Sequence, residues 1–258
     1  MFSLFKKKTS TSADQNITPS QPIDGCAYVI GDIHGCFDEL LELLGLIEED
    51  AIIQPDDPKY IVFLGDLMDR GPKSKGVVDF LINYKPNFAT PVFLMGNHEE
   101  FFLDVLSGKT RGLVSWFDFG GRECSRSYGV ENLGEIYTNP KAILNRLQEK
   151  VPQSHIDFIS GFRDSFQFGH YLCVHAGIRP QVPIEEQTSR DMRWIRREFL
   201  EYTKSHPFVI VHGHTIVERA EILPNRIAVD TGVYNSGLLT AIRLSDTGTK
   251  IIETRGKS

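Results

Sequence analysis

Five short motifs carry the residue types from which metal-assisted hydrolysis could be built. In chain order they are Gly31-Asp32-Ile33-His34-Gly35, Gly65-Asp66-Leu67-Met68-Asp69-Arg70-Gly71, Gly96-Asn97-His98-Glu99, His175-Ala176-Gly177 and His212-Gly213-His214. Carboxylate, imidazole and amide oxygen together suit divalent first-row metals. No thiolate takes part, which disfavours a structural zinc site. An Asp-x-His pair on extended chain sends both side chains to one side, so Asp32 and His34 can chelate one ion. Asp66 can bridge to a second ion through its two oxygens. Asn97, His175 and His214 can complete that second site. Two such ions, about 3.5–4 Å apart, can activate water and clamp phosphoryl oxygens during in-line displacement. The expected reaction is hydrolysis of a phosphate ester.

Each piece has an ordinary reading too. An Asp beside Gly is normally a turn residue, and an isolated His a surface or satisfied core residue. That reading is kept for His155, His170 and His206, which stand outside the motifs. His212 ends a strand two residues before His214 and reads as a support for the site, not a ligand. One motif such as Gly-Asp-x-His-Gly arises by chance in roughly one of several hundred chains of this length. Five in order, each just after an apolar run, form a pattern.

The runs that must position these motifs alternate between two periods. Ala27–Ile30, Tyr60–Leu64 and Pro91–Met95 are short apolar segments that read as buried strands, each followed by Gly. Helical spacing over Phe37–Ile47, Lys75–Asn83 and Glu99–Leu106 predicts the helices between them. This alternation predicts a mainly parallel sheet, and open parallel sheets bind ligands at strand C-termini. The middle, from Lys109 to about Phe162, reads as helix and loop, with a turn at Gly120-Gly121-Arg122 and a helix over Lys141–Lys150. Further strands are expected at Ser165–Phe168, Tyr171–Val174, Phe208–Val211, Arg226–Val229 and Leu238–Leu244, with a helix near Arg190–Tyr202. The fold class is therefore α/β: a two-sheet sandwich flanked by helices accommodates the pattern. Residues 1–22 are polar, with Lys6–Lys8, Pro19 and Pro22, and read as a flexible tail. Residues 23–258 read as one catalytic domain.

Composition bounds the rest. The chain has 258 residues, a net charge of −6 and 41% hydrophobic residues, enough for a substantial core. The acidic balance argues against a nucleic-acid binder. Cys26, Cys36, Cys124 and Cys173 form no CxxC pair and read as free thiols of a reducing compartment. Cys36 reads as a small core thiol more readily than as a redox switch. No run is long enough to span a bilayer and no secretory signal opens the chain, so a cytoplasmic location is expected. Oligomeric state is not readable.

The five motifs together resemble the phosphoprotein phosphatase family of the calcineurin-like metallophosphoesterases, from Tyr28 to about Val233. His175-Ala176-Gly177-Ile178-Arg179-Pro180, Gly120-Gly121-Arg122-Glu123, Trp194–Leu200 and Asp230-Thr231-Gly232 look like a bacterial subgroup, similar to Rhizobiales-like phosphatases. The resemblance implies a β-sandwich flanked by helices. It implies that Asp32, His34 and Asp66 hold the first metal, with Asp66 bridging, and that Asn97, His175 and His214 hold the second. His98 would be the general acid, oriented by Asp69, and Arg70 would bind substrate phosphate. Arg196 is the expected second phosphate-binding arginine, with Arg193 and Arg197 as competitors. Tyr234 and Asn235 fall near the site mouth without an assigned role.

The expected cofactors are two divalent metal ions, Mn2+ first, with iron or zinc as alternatives. Phosphorylated protein or peptide on Ser, Thr or Tyr is placed first as substrate. A diadenosine tetraphosphate-type nucleotide is second, and Trp116, Phe117 and Trp194 are candidates to stack its base, although core packing explains them equally well. A non-catalytic scaffold is the weak third reading, because every expected ligand is in place. Neither nucleic acid nor membrane is an expected partner.

Overall fold

Two mixed sheets of five strands organise the described residues, which are 23–54, 58–108 and 112–256 of the computed structural model. The expected tail at 1–22 lies outside them. The first sheet holds β1 (Cys26–Ile30), β2 (Lys59–Phe63), β3 (Thr90–Phe93), β9 (Thr240–Ser245) and β10 (Gly248–Glu253) in the order β10-β9-β1-β2-β3. The second holds β4 (Ser165–Phe168), β5 (Tyr171–Val174), β6 (Val209–His212), β7 (Glu221–Ile222) and β8 (Arg226–Ala228) in the order β4-β5-β6-β8-β7. Each sheet has three parallel strands, β1-β2-β3 at one side of the first and β5-β6-β8 at the centre of the second, with antiparallel pairing beyond them. The mainly parallel start is as expected, and the sandwich is mixed.

Strand alternation divides the core. Ala27, Val29, Val62, Leu64, Ile242 and Leu244 meet Tyr171, Cys173, Val209, Val211 and Ile227 of the other sheet. The intervening Tyr28, Ile30, Ile61, Phe63 and Ala241 face the outer helices α1 (Phe37–Ile52) and α2 (Ser74–Leu81). Both faces are covered, which is why these strands read as unbroken apolar runs. The next helices are α3 (Asn97–Leu106), α4 (Leu113–Trp116), α5 (Arg122–Ser127), α6 (Pro140–Lys150) and α7 (Gln153–Ser160), which share a core around Phe102, Trp116, Tyr128 and Leu147. Pro140 at the first turn and an Asn139 cap start α6. On the second sheet, α8 (Ser189–Trp194) and α9 (Arg197–Leu200) bury Met192 and Phe199 against Leu172, Val174 and Ile210. A short α10 (Val233–Ser236) precedes β9.

One expected element is corrected. The helix near Arg190–Tyr202 is two helices, broken where Ile195 is extended (φ −60°, ψ 143°) and Arg196 lies at φ −133°, ψ −96°. The break turns the Arg196 guanidinium to Thr215 Oγ1, 3.2 Å away. Two strands were not expected: the two-residue β7, and β10, a half-polar segment with a single buried residue, Ile252. All four cysteines are buried and outside any disulfide, and no helix of the described residues is long and apolar enough to cross a membrane.

Asp50 ties the end of α1 to the sheet. It accepts from Tyr28 Oη (2.9 Å), Arg243 Nη1 (2.9 Å) and Lys250 Nζ (2.5 Å). Burial raises its carboxyl, but these three donors outweigh that and hold it below the ordinary value. A depressed folded value means stability that is present above the unfolded value and lost as pH falls through the folded one. Asp50→Ala is expected to lower stability at neutral pH by about 1–3 kcal/mol, because it strands the buried Tyr28 hydroxyl and Arg243. Urea melts should show that difference shrinking in acid; a constant difference down to pH 3 would refute the linkage.

Candidate metal centre

All six parallel strands end at one place. Asp32 and His34 follow β1, Asp66 follows β2, Asn97 opens α3 after β3, His175 follows β5, His214 follows β6 and Asp230 follows β8. All are buried. The crowded chain at these ends is left-handed in ordinary residues: φ is 46° at His34, 49° at Asp66, 69° at Asp69, 66° at Arg70 and 63° at His214. Such backbone costs about 1–3 kcal/mol per residue and clusters at functional sites. Two glycines make the approach feasible. A Cβ on Gly96 would lie 2.2 Å from Asp66 Oδ1, and one on Gly213 would lie 2.1 Å from Asp32 Oδ1.

The donor atoms converge in two groups around Asp66. In one, His175 Nε2 lies 2.9 Å from Asn97 Oδ1, 3.2 Å from His214 Nδ1 and 3.4 Å from Asp66 Oδ1. His175 Nδ1 donates to the Leu64 carbonyl (2.9 Å), so Nε2 carries the lone pair. In the other, His34 Nε2 lies 3.7 Å from Asp66 Oδ2 and 4.0 Å from Asp32 Oδ2, and His34 Nδ1 donates to the Met68 carbonyl (2.8 Å). These are lone pairs aimed at lone pairs, an arrangement that a cation stabilises. Tethering the far ring nitrogen to a carbonyl is how metal-binding imidazoles are oriented. The residues present therefore fit two divalent ions sharing Asp66.

Charge supports the same reading. Burial pushes the Asp66 carboxyl up, but the surrounding His175, His98, His34 and His214 more than reverse this and hold it below the ordinary carboxylate value. Asp32 is raised by burial and by the nearby Asp230 and Asp66. Burial also keeps His34 and His175 neutral, and takes His214 down to about 2 with help from His175. Neutral imidazoles beside an ionised Asp66 are protonation states that metal ligation needs, and a cation would offset the effect of Asp230 and Asp66 on Asp32.

His98 is held differently. Its Nδ1 lies 2.7 Å from Asp69 Oδ2, which also accepts from Trp116 Nε1 at 2.8 Å. Burial lowers the His98 imidazole, but Asp66 and Asp69 more than reverse this and raise it. Its Nε2 lies 3.8 Å from Asp66 Oδ2 and 3.2 Å from Arg70 Nη2. Arg70 also donates to Tyr234 Oη (2.9 Å) and sits over that ring. The three candidate arginines separate. Arg193 is taken up by Asp164 and Glu100, and Arg197 by Glu201 on an exposed turn. Arg196 bonds Thr215, next to His214, and its charge helps to lower both His175 and His214.

Three features were not assigned from sequence. Glu99 accepts from the backbone N–H of Asp66 (2.7 Å), Leu67 (2.8 Å) and Gly96 (3.0 Å), so its carboxylate fixes the turn that carries Asp66. Asp230 stands beside Asp32 and accepts from Gly232 N. Trp116 orients Asp69. His212 points away from the centre, its ring 5.0 Å from that of Phe199. His155 bonds Tyr128 and Asp79, and His206 stacks with Tyr202, which keeps both apart from the site.

Known proteins share this arrangement of sequence. The calcineurin-like phosphoesterase profile matches residues 27–237. The asymmetrical bis(5'-nucleosyl)-tetraphosphatase PrpE of Halalkalibacterium halodurans is 29% identical over 84% of this chain and 89% of its own. The enzyme of the same name from Anoxybacillus flavithermus is 30% identical over 83% and 89%. Among solved structures, one provisionally assigned as a diadenosine tetraphosphatase superposes with a TM-score of 0.61 at 20% identity, covering 92% of this chain and 96% of that one. A cold-active protein tyrosine phosphatase gives 0.59 at 19% identity, covering 93% and 83%. These structural likenesses show the fold. The chain belongs to the calcineurin-like phosphoesterase family, and it is a metal-dependent hydrolase of phosphoric esters.

Proposed function

We propose that the chain hydrolyses dinucleoside polyphosphates of the diadenosine tetraphosphate class, with water as the nucleophile. The observation that carries this reading is the name shared by relatives that match over 83–84% of the chain. It reverses the order expected from sequence, in which phosphorylated protein stood first.

Asp32, His34 and Asp66 would hold one divalent ion, and Asp66, Asn97, His175 and His214 a second. Manganese is the expected occupant, with iron or zinc as alternatives. Bound ions would polarise the phosphoryl oxygens and lower the pKa of the attacking water. Arg70, beside His98, and Arg196, beside Thr215, would hold the substrate's phosphates. Their planar forks match paired phosphate oxygens. His98, oriented by Asp69 and Trp116, gives its Nε2 proton to the leaving oxygen.

Chelated protein should be inactive. Added Mn2+ should restore cleavage of diadenosine tetraphosphate at a kcat/KM well above that for phosphoserine, phosphothreonine or phosphotyrosine peptides. A higher kcat/KM on a phosphopeptide would return the phosphoprotein reading to first place.

A further inference from the structure

We propose that Trp194 is the platform on which a base of the substrate stacks, an assignment that rests on the nucleotide reading above. Of the three aromatics the sequence offered for stacking, Trp116 and Phe117 are buried in the helical core. Trp194 is 39% exposed. It is also held in place. Its Nε1 donates to Glu100 Oε2 (2.5 Å), and Glu100 is in turn neutralised by Arg193 Nη1 at 3.0 Å. Glu100 lies on α3, two residues past His98.

The segment that carries the ring is tied to the site by two hydrogen bonds. On one side, the Met192 carbonyl accepts from Ala176 N (2.7 Å), which fixes the end of α8 to the loop that carries His175. On the other, Arg196 reaches Thr215 beside His214. A nucleotide whose phosphates meet Arg196 therefore has an oriented π-face two residues away in the chain. Every nucleobase offers a matching face, so a ring of this kind binds bases with little regard to which base it is. An anchored indole loses little freedom when a base covers it. The Glu100 bond accounts for the indole N–H, and the residue still keeps 39% of its surface exposed.

The test uses the full chain loaded with Mn2+. A methylene-bridged diadenosine tetraphosphate that resists cleavage is titrated while tryptophan emission is followed. The expected result is quenching that disappears in Trp194→Phe, where the buried Trp116 alone emits. In turnover, Trp194→Ala should lower kcat/KM for diadenosine tetraphosphate about ten- to a hundredfold more than for p-nitrophenyl phosphate, through KM more than kcat. Trp194→Phe should recover most of that loss. Equal losses on both substrates, with no quenching, would mean a structural role and overturn the platform. Cleavage of the dinucleotide without quenching, insensitive to Trp194→Ala, would overturn the platform and leave the nucleotide reading intact. Quenching without dinucleotide cleavage would uphold the platform and sink the reading.

Discussion

Asp66→Asn is expected to lose both metals and to lower turnover by roughly three orders of magnitude or more, since metal assistance is worth several kcal/mol of barrier. The fold should survive. Asn has the same shape and is among the few residues at ease in left-handed backbone, as φ 49° requires. Its amide oxygen can still accept from His98 N, which lies 3.0 Å from Oδ1. The charge is what disappears. Asp66 is the carboxylate between His175 on one side and His34 on the other, and its carboxyl is held below the ordinary value. An amide offers one oxygen and no charge, so it cannot bridge two cations. Atomic emission on the purified variant should find less than one metal per chain while its circular dichroism stays that of the parent. Two metals with full activity would refute the shared role of Asp66.

The site was legible in sequence to the extent that each strand end marks itself. Asp32, His34, Asp66, Asn97, His175 and His214 each stand within two residues of a glycine at the end of an apolar run, and residue type plus position is a local signal. What sequence hid depends on register and tertiary contact. Asp230 sits in the same kind of place, but an Asp before Thr-Gly also reads as a turn. Its approach to Asp32 follows from pairing β8 with β6, His212 opposite Ala228. Glu99 reads as a cap residue in the first turn of α3, and only the folded chain brings the Asp66 and Leu67 N–H groups to it. The break at Ile195–Arg196 was equally invisible, because the residues on both sides favour helix and only the folded chain brings Thr215 to Arg196. What separates Arg196 from Arg193 and Arg197 is also tertiary: Glu100, Asp164 and Glu201 occupy the other two.

His98→Asn separates the proton donor from the metals. Its ring hangs on Asp69 at 2.7 Å, and Asp69 is fixed by Trp116 and by Ser74 Oγ, which lies 3.0 Å from its N–H. The variant is expected to keep its metals, because the residues proposed to hold them, Asp32, His34, Asp66, Asn97, His175 and His214, are untouched. Loss of a general acid costs roughly a hundred- to ten-thousandfold when the leaving group needs its proton. An alkoxide from a phosphoserine peptide needs it fully. A departing nucleotide phosphate, whose oxygen has a pKa of about 6, needs it far less. The variant should therefore lose kcat on the alkyl ester by about a hundredfold or more, and on diadenosine tetraphosphate by a factor at least about tenfold smaller. That ratio is the signature of proton donation, since a displaced metal or a distorted pocket would slow both substrates alike. Equal losses on both, or an unchanged kcat on the alkyl ester, would take the proton-donor role away from His98 and leave its Asp69 bond as structural support.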